Sequence, residues 1–299
     1  MDIQTLKTRL SGGVAPAMAT PLLANSYRVN TAVIPHLVDF LLEKGVCGLF
    51  VGGTTGEGIL LDADEREKLH AATLAAVNGR VPVLLHVGAQ RTETAVALAQ
   101  HAAANGADAL AAVPPTFYGM HDDALAAYFQ AVAAAAPRTP LFLYDIPQMA
   151  VNGVSPALAA RLSRTLPTLA GMKSSRGDVQ AVRALIDALP PDKILLAGNE
   201  SAALGLLALG ADGLISGLST AVPEPFVELA RAFAAGDLVA ARRAQRVINA
   251  LLPLLPAGAR IGAIKSLLRE RGVDVGTAVP TLPTPDAPLW PAMQAVLAA

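Results

Sequence analysis

The stretch Leu169-Ala170-Gly171-Met172-Lys173-Ser174-Ser175 decides the reading of this 299-residue chain. A short apolar run ends in a lysine, and small polar residues follow at once. Such a run, bounded by breaks, reads as a buried strand. In a parallel barrel the chemistry gathers at the carboxyl ends of the strands, and Lys173 stands at such an end. Apolar walls disfavour an ammonium ion, and a neutral lysine amine attacks a ketone to form a Schiff base. Taken alone, the pattern fits better a lysine that merely ends a strand and points into water. The neighbouring motifs reverse that preference.

Outward from this stretch, similar runs recur at Val14–Ala19, Gly48–Val51, Val83–Val87, Ala109–Val113, Leu141–Tyr144, Ile194–Ala197 and Gly213–Ile215. Between them lie alanine- and leucine-rich segments with helical spacing, among them Ile34–Lys44, Asp64–Val77, Thr92–Asn105, Leu125–Ala136 and Val179–Leu189. Strands alternating with helices in this way predict a closed (β/α)8 TIM barrel. An open doubly wound sheet fits less well, because no Gly-x-Gly-x-x-Gly opens the first unit. Asp62 and Glu65 read as a helix N-cap and its capping-box partner. Asn105-Gly106 and Leu209-Gly210 read as helix C-termini.

From about Pro223 the alternation stops. Pro225–Ala235, Leu238–Leu255 and Ala259–Arg271 read as helices, followed by the proline-rich Pro280–Pro288 and a last short helix. The expected organisation is a catalytic barrel over residues 1–222 and a C-terminal helical extension over 223–299, packed on it. The apolar faces of the extension suit subunit contacts. Lys265, on one of its helices, is expected at the surface or in a packing role.

The bulk composition narrows the function classes. Apolar residues make up 53% and charged residues 16%, enough for a large core. A net charge of -1 gives no footprint for nucleic acid or an anionic membrane. The single cysteine, Cys47, excludes an internal disulfide framework and lies in an apolar run, as a buried inert thiol would. The N-terminus has no secretory pattern, and no run of about 20 apolar residues is free of polar interruptions. A cytoplasmic protein is expected.

Several motifs would meet at one barrel mouth. Gly52-Gly53-Thr54-Thr55-Gly56-Glu57-Gly58 follows the second strand. Its glycines let the backbone approach a ligand, and its amides and hydroxyls can face an anion. It lacks the Gly-Lys-Ser/Thr ending of a phosphate cradle, so a small carboxylate suits it better. A flexible turn is the plain alternative. Tyr144, in Leu143-Tyr144-Asp145-Ile146-Pro147, ends the fifth strand and can relay a proton; a buried tyrosine with a satisfied hydroxyl is the alternative. Tyr118 sits on a stiff loop after the fourth strand. Gly198-Asn199-Glu200, after the seventh, offers polar groups to the hydroxyls of a longer substrate, or is an exposed loop. An amine, an anion-binding loop and proton carriers together are what an amine-catalysed carbon–carbon lyase of 2-oxo acids requires. His36, His70, His86, His101 and His121 show no metal-ligand spacing, and each is expected to be a surface or packing residue. No metal and no cofactor is expected. Ser174-Ser175 is read as support for the mouth, since no Gly-x-Ser-x-Gly elbow occurs.

Gly53-Thr54-Thr55-Gly56-Glu57, Tyr144 with Pro147, and Gly171-Met172-Lys173 resemble, in order and spacing, the three signatures of the dihydrodipicolinate synthase / N-acetylneuraminate lyase superfamily of class I pyruvate-dependent aldolases. The resemblance runs from about Gly13 to the tail. It implies a (β/α)8 barrel with a C-terminal helical region, usually a homotetramer built as a dimer of dimers. By the same resemblance Lys173 forms the Schiff base, Tyr144 is the general acid/base, and Thr54 and Thr55 hold the carboxylate, with Thr54 also in the proton relay. Ile215 lines the pyruvate site. Tyr118 is the candidate for the loop tyrosine that often reaches a neighbouring subunit.

One departure bears on substrate. Synthases of the lysine precursor usually carry an arginine two residues past the proline of the tyrosine strand, and here Met149 occupies that place. Methionine makes no bidentate salt bridge, so a dicarboxylate product is disfavoured. Histidines linked to lysine feedback in some synthases fall near Ala63 and Arg66, so no such regulation is expected. The first expectation is a 2-keto-3-deoxy sugar acid cleaved to pyruvate and an aldehyde. The runner-up is 4-hydroxy-tetrahydrodipicolinate synthase, or another family reaction such as N-acetylneuraminate cleavage or keto-deoxy acid dehydration. A non-catalytic sugar-acid sensor on the same barrel is the reading from a different class.

Overall fold

The computed structural model describes residues 1–299. Helix α1 (Ile3–Leu10) precedes eight strands: β1 (Val14–Pro16), β2 (Leu49–Val51), β3 (Val83–His86), β4 (Ala109–Ala112), β5 (Leu141–Asp145), β6 (Leu169–Ser174), β7 (Ile194–Ala197) and β8 (Gly213–Ser216). All neighbouring strands pair in parallel, in the order β1-β8-β7-β6-β5-β4-β3-β2. Backbone bonds from Cys47 N to Val14 O, 3.0 Å, and from Met18 N to Phe50 O, 2.9 Å, join β1 to β2 and close the barrel. Every strand residue is buried, because helices cover the outer face and side chains fill the inner one.

Helices α2 (Ile34–Glu43), α3 (Ala63–Val77), α4 (Thr92–Ala104) and α5 (Asp122–Ala135) follow β1 to β4. After β5 come the short α6 (Pro147–Ala150) and then α7 (Pro156–Thr165); α8 (Val179–Ala188) and α9 (Ala203–Ala208) follow β6 and β7. Helix α10 (Glu224–Ala234) follows β8 and packs against β1 and α9, completing the outer ring. Beyond it lie α11 (Leu238–Leu251), α12 (Arg260–Glu270) and α13 (Trp290–Ala298). None of these helices is long and apolar enough to cross a membrane.

The expected strands and helices appear within a few residues of their expected bounds, and Gly106 and Gly210 end α4 and α9 with positive φ. Helices α1 and α7 add to that reading. Asp2 caps α1 by accepting from Thr5 N at 2.7 Å, and Ser155 caps α7 by accepting from Leu158 N at 3.0 Å. Leu6 and Leu10, one turn apart on α1, plug the barrel floor within a cluster that includes Ala15, Leu84 and Phe142. Burying each leucine contributes about 2 kcal/mol.

Three expectations are corrected. Asp62 stands at the N-cap of α3 without capping through its side chain, and Glu65 instead accepts from Val29 N at 2.7 Å and pairs with Lys68. The carboxylate is drawn off the helix end by an unpaired amide of the β1–α2 loop. Lys265 is neither at the surface nor a mere packing residue: it is fully buried in an ion pair with Glu57. Cys47 is only half-buried, although desolvation pushes its thiol up to about 12.

Candidate active site

The side chains inside the barrel come from alternate positions of each strand. On β5 these are Phe142 and Tyr144, and on β6 they are Ala170 and Lys173. A strict alternation from Ala170 would turn Lys173 outward. The register between β5 and β6 shifts by one residue, so that Leu141 pairs with Leu169 while Phe142 pairs with Gly171. The extra residue restores Lys173 to the inner face, in register with Tyr144 on one side and Leu196 on the other. Only glycine fits there: Gly171 has φ +154°, and a Cβ on it would lie 1.9 Å from Ile194 O. The strand also runs one residue past the lysine, so Lys173 sits on sheet rather than on a loop.

Lys173 is 4% exposed. Its Nζ lies 4.1 Å from the ring centre of Tyr144 and 4.3 Å from that of Phe50. Those two rings meet edge-on at 5.3 Å, and the His86 ring meets Tyr144 edge-on at 5.7 Å. The amine is therefore packed against two aromatic faces, those of Tyr144 and Phe50. The Tyr144 hydroxyl is 2.8 Å from Thr54 Oγ1, bringing the glycine-rich loop to the end of β5. The neighbouring Thr55 turns toward β8, where a Cβ on Gly217 would lie 2.7 Å from its hydroxyl. Ile215 is buried on the inner face of β8, in the same cluster as Phe50 and Tyr144.

His86 fixes the loop from beneath. Its Nδ1 lies 2.9 Å from Gly52 O, and its Nε2 accepts from Val113 N at 3.3 Å. Those partners call for a neutral ring with its proton on Nδ1. Desolvation, and then the Arg66 guanidinium, hold its pKa well below the usual imidazole value. Arg66 itself is buried, donating to the carbonyls of His86 at 2.6 Å and Gly88 at 2.9 Å. Burial lowers its pKa to about 10.

Three carboxylates surround the mouth, and each is held by a cation other than Lys173. Glu57 contacts Lys265 Nζ at 2.5 Å and accepts from Val279 N at 2.7 Å. Asp145 takes a two-point bond from Arg176 at 2.7 and 3.0 Å, along with Ser174 Oγ at 2.8 Å and Val154 N at 2.9 Å. Glu200 pairs with Arg260 and accepts from Ser216 Oγ and Leu218 N, each at 2.8 Å. Lys173 is thus left as the uncompensated amine of the site.

A cavity of about 270 Å³ opens beside this group. Gly53, Thr54, His86 and Tyr144 line it, with Ile59, Leu60, Met149, Ile261 and Leu282. Two of these, Ile261 and Leu282, belong to the C-terminal extension, so the extension walls the cavity as well as packing on the barrel.

The sequence-predicted residues divide into two groups. Lys173, Tyr144, Thr54, Thr55, Gly53 and Ile215 converge at the mouth. Of the converging residues, Gly53, Thr54 and Tyr144 line the cavity, while Lys173, Thr55 and Ile215 do not; Gly198, Asn199 and Tyr118 are also off its lining. Gly198 gives room to Ser175, whose Oγ would lie 2.3 Å from a Cβ there. Asn199 accepts from Ser201 Oγ at 2.8 Å. Tyr118 is 75% exposed, and the Phe117 before it has φ +79°. Phe50, His86, Asp145 and Arg176 were not anticipated. Asp145 adjoins Tyr144 in sequence, but nothing in the sequence pairs it with Arg176.

Comparison with known proteins follows the same lines. Residues 10–294 match the Dihydrodipicolinate synthetase family. A 4-hydroxy-tetrahydrodipicolinate synthase of Salinibacter ruber is 36% identical, covering 77% of this chain and 76% of the relative. One from an Exiguobacterium species is 32% identical, over 94% of this chain and 97% of the relative. Among solved structures, the wild-type sialic acid aldolase of Ruminococcus gnavus superposes with a TM-score of 0.91 at 28% identity, covering 97% of this chain and 98% of that one. An Escherichia coli prophage protein in complex with pyruvate gives 0.88 at 27% identity, covering 96% and 97%. The chain therefore belongs to the dihydrodipicolinate synthetase family and is a class I aldolase or lyase, an enzyme that works through a lysine Schiff base.

Proposed function

We propose that Lys173 forms the Schiff base with pyruvate or a pyruvate-like 2-oxo acid, and that Tyr144 and Thr54 move the protons. The observation that carries this reading is the grouping of a buried amine 4.1 Å from the Tyr144 ring, a Tyr144–Thr54 hydroxyl pair at 2.8 Å, and no carboxylate partner for the amine. The neutral amine adds to the keto carbon, and water leaves to give an iminium ion. Loss of a methyl proton yields the enamine. Its carbon attacks an aldehyde, forming the carbon–carbon bond, and the alkoxide takes a proton through Tyr144. Hydrolysis then returns the amine and releases the product, and cleavage is the same sequence reversed. Thr55, with the amides of the glycine loop, is the seat proposed for the substrate carboxylate.

Within the family the partner aldehyde is the open choice. A 2-keto-3-deoxy sugar acid drew its support from Gly198-Asn199-Glu200, and that support is reduced because Glu200 is bound to Ser216, Leu218 and Arg260. The names of the two curated relatives given above favour 4-hydroxy-tetrahydrodipicolinate synthase. Met149 on the cavity wall, where a carboxylate-binding arginine would be needed, counts against it. N-acetylneuraminate lyase and keto-deoxy acid dehydratase activities use the same imine. Tyr118, exposed on its loop, remains the candidate for reaching a neighbouring subunit in the proposed homotetramer.

Incubation with pyruvate and borohydride tests the central reading. A reduced adduct should map to Lys173 and vanish in Lys173→Ala. An adduct on another lysine, or none, would overturn it.

A further inference from the structure

The cavity has two unlike halves. One part is lined by Thr54 and Tyr144, whose hydroxyls pair, and Lys173 Nζ, itself off the lining, lies 4.1 Å from the Tyr144 ring centre. Toward solvent it is walled by Ile59, Leu60, Met149, Ile261 and Leu282. Three of these are exposed large apolar side chains: Ile59 at 42%, Leu60 at 45% and Met149 at 63%. Single exposed leucines need no explanation, but an apolar wall beside the Thr54–Tyr144 hydroxyl pair is a binding surface.

The other polar groups on the wall are already engaged. Glu57 is spent on Lys265 and Val279 N. Both His86 nitrogens have backbone partners at Gly52 and Val113. The Thr116 hydroxyl accepts from the Gln90 amide. Arg176, the cation nearest in sequence to Lys173, is committed to Asp145 through two bonds. A chain of hydroxyls or a second carboxylate entering here would leave water and find few new partners.

We infer that the carbonyl partner of the pyruvate enamine is an apolar aldehyde, aromatic or branched aliphatic, and that Met149 and Leu282 are specificity-determining residues. The assignment rests on the imine reading given above. The enamine carbon bonds to the aldehyde carbon, the carbonyl π pair becomes the alkoxide, and Tyr144 supplies its proton; the product is a hydroxylated 2-oxo acid with an apolar tail. No oxidant or further reactant is needed.

The test has two arms on the full-length protein. Borohydride trapping with pyruvate first reports whether the imine forms at Lys173. Condensation of pyruvate with benzaldehyde or isobutyraldehyde is then compared with glyceraldehyde and succinic semialdehyde. The apolar aldehydes should have kcat/KM at least about tenfold higher, the scale on which an apolar pocket discriminates. Leu282→Asn and Met149→Arg should erase that preference while leaving the pyruvate adduct in place. An adduct with glyceraldehyde or succinic semialdehyde preferred would overturn the apolar assignment alone. An absent adduct would overturn the imine reading and the assignment with it. A preference unchanged in both variants would remove Met149 and Leu282 from the role given them.

Discussion

Ala170 and Lys173, three residues apart on one strand, face the same side of the sheet. An odd separation places two residues on opposite faces unless an extra residue intervenes, and the bulge at Gly171 supplies it. Gly171→Ala must either push Ile194 aside or flatten the bulge and turn the lysine toward the helices. The variant should lose about 3 kcal/mol of stability, the upper range for overpacking a filled site. It should also lose most of its pyruvate trapping. Urea unfolding and borohydride labelling measure the two effects, and wild-type values in both would remove the bulge from the account.

The Thr54–Tyr144 hydrogen bond should behave as one unit. Tyr144→Phe removes the proton carrier and should lower kcat by about 10²–10⁴-fold. Thr54→Val, by itself, should cost roughly 10- to 100-fold. The double variant should be little worse than Tyr144→Phe alone, since residues sharing one function are not additive. Steady-state kinetics on the four proteins decides it; additive losses would mean that the hydroxyls act separately.

Lys265 and Glu57 form a buried pair between α12 and the glycine loop. Lys265→Met leaves the Glu57 carboxylate buried against a single amide, at a cost of roughly 3–5 kcal/mol. Adding Glu57→Gln should recover much of that loss. A chemical denaturation series on the three variants reads both quantities. If the single substitution proves neutral, the pair is not what ties the extension to the mouth.

Stability should fall with acid through His70. This ring is fully buried on α3, and desolvation, followed by the charge of Arg66, lowers its pKa to about 3, against 6.5 for an unperturbed histidine. Between those values the unfolded chain binds the extra proton and the folded chain does not, so stability rises with pH across that window and is lost as pH falls below 6.5. From pH 6.5 to pH 5 the histidine alone accounts for roughly 2 kcal/mol. His70→Leu should flatten the pH dependence of the unfolding midpoint by that amount. An unaltered slope would place the acid sensitivity elsewhere.

Much of this molecule is legible in its residues. Parallel strands buried on both faces leave short apolar runs, and all eight are visible because they alternate with longer helical segments. The mouth residues Lys173, Tyr144, Thr54 and Thr55 could be found because each stands directly at or after a strand end. Contacts between distant segments are not legible. Lys265 looks like a surface cation until the fold sets it on Glu57, far earlier in the chain. Glu200 looks free for substrate until Arg260 arrives from α12. Helix α1 was missed although Asp2, Leu6 and Leu10 carried its cap and its buried stripe. The bulge at Gly171 is invisible locally, since its cause is the carbonyl of Ile194 on the adjoining strand.

Ile261 and Leu282 lie on no barrel strand, yet they roof the cavity that Thr54 and Tyr144 line. On the reading proposed above, the residues that make a nucleophile of the keto acid all lie on the barrel, while the wall that meets the aldehyde is shared between Met149 of the barrel and this roof. Sequence drift in the roof can change the aldehyde accepted while the amine, the phenol and the threonines stay fixed. Exchange of residues 257–284 between relatives, together with the residue at position 149, would graft one enzyme's appetite onto another's chemistry.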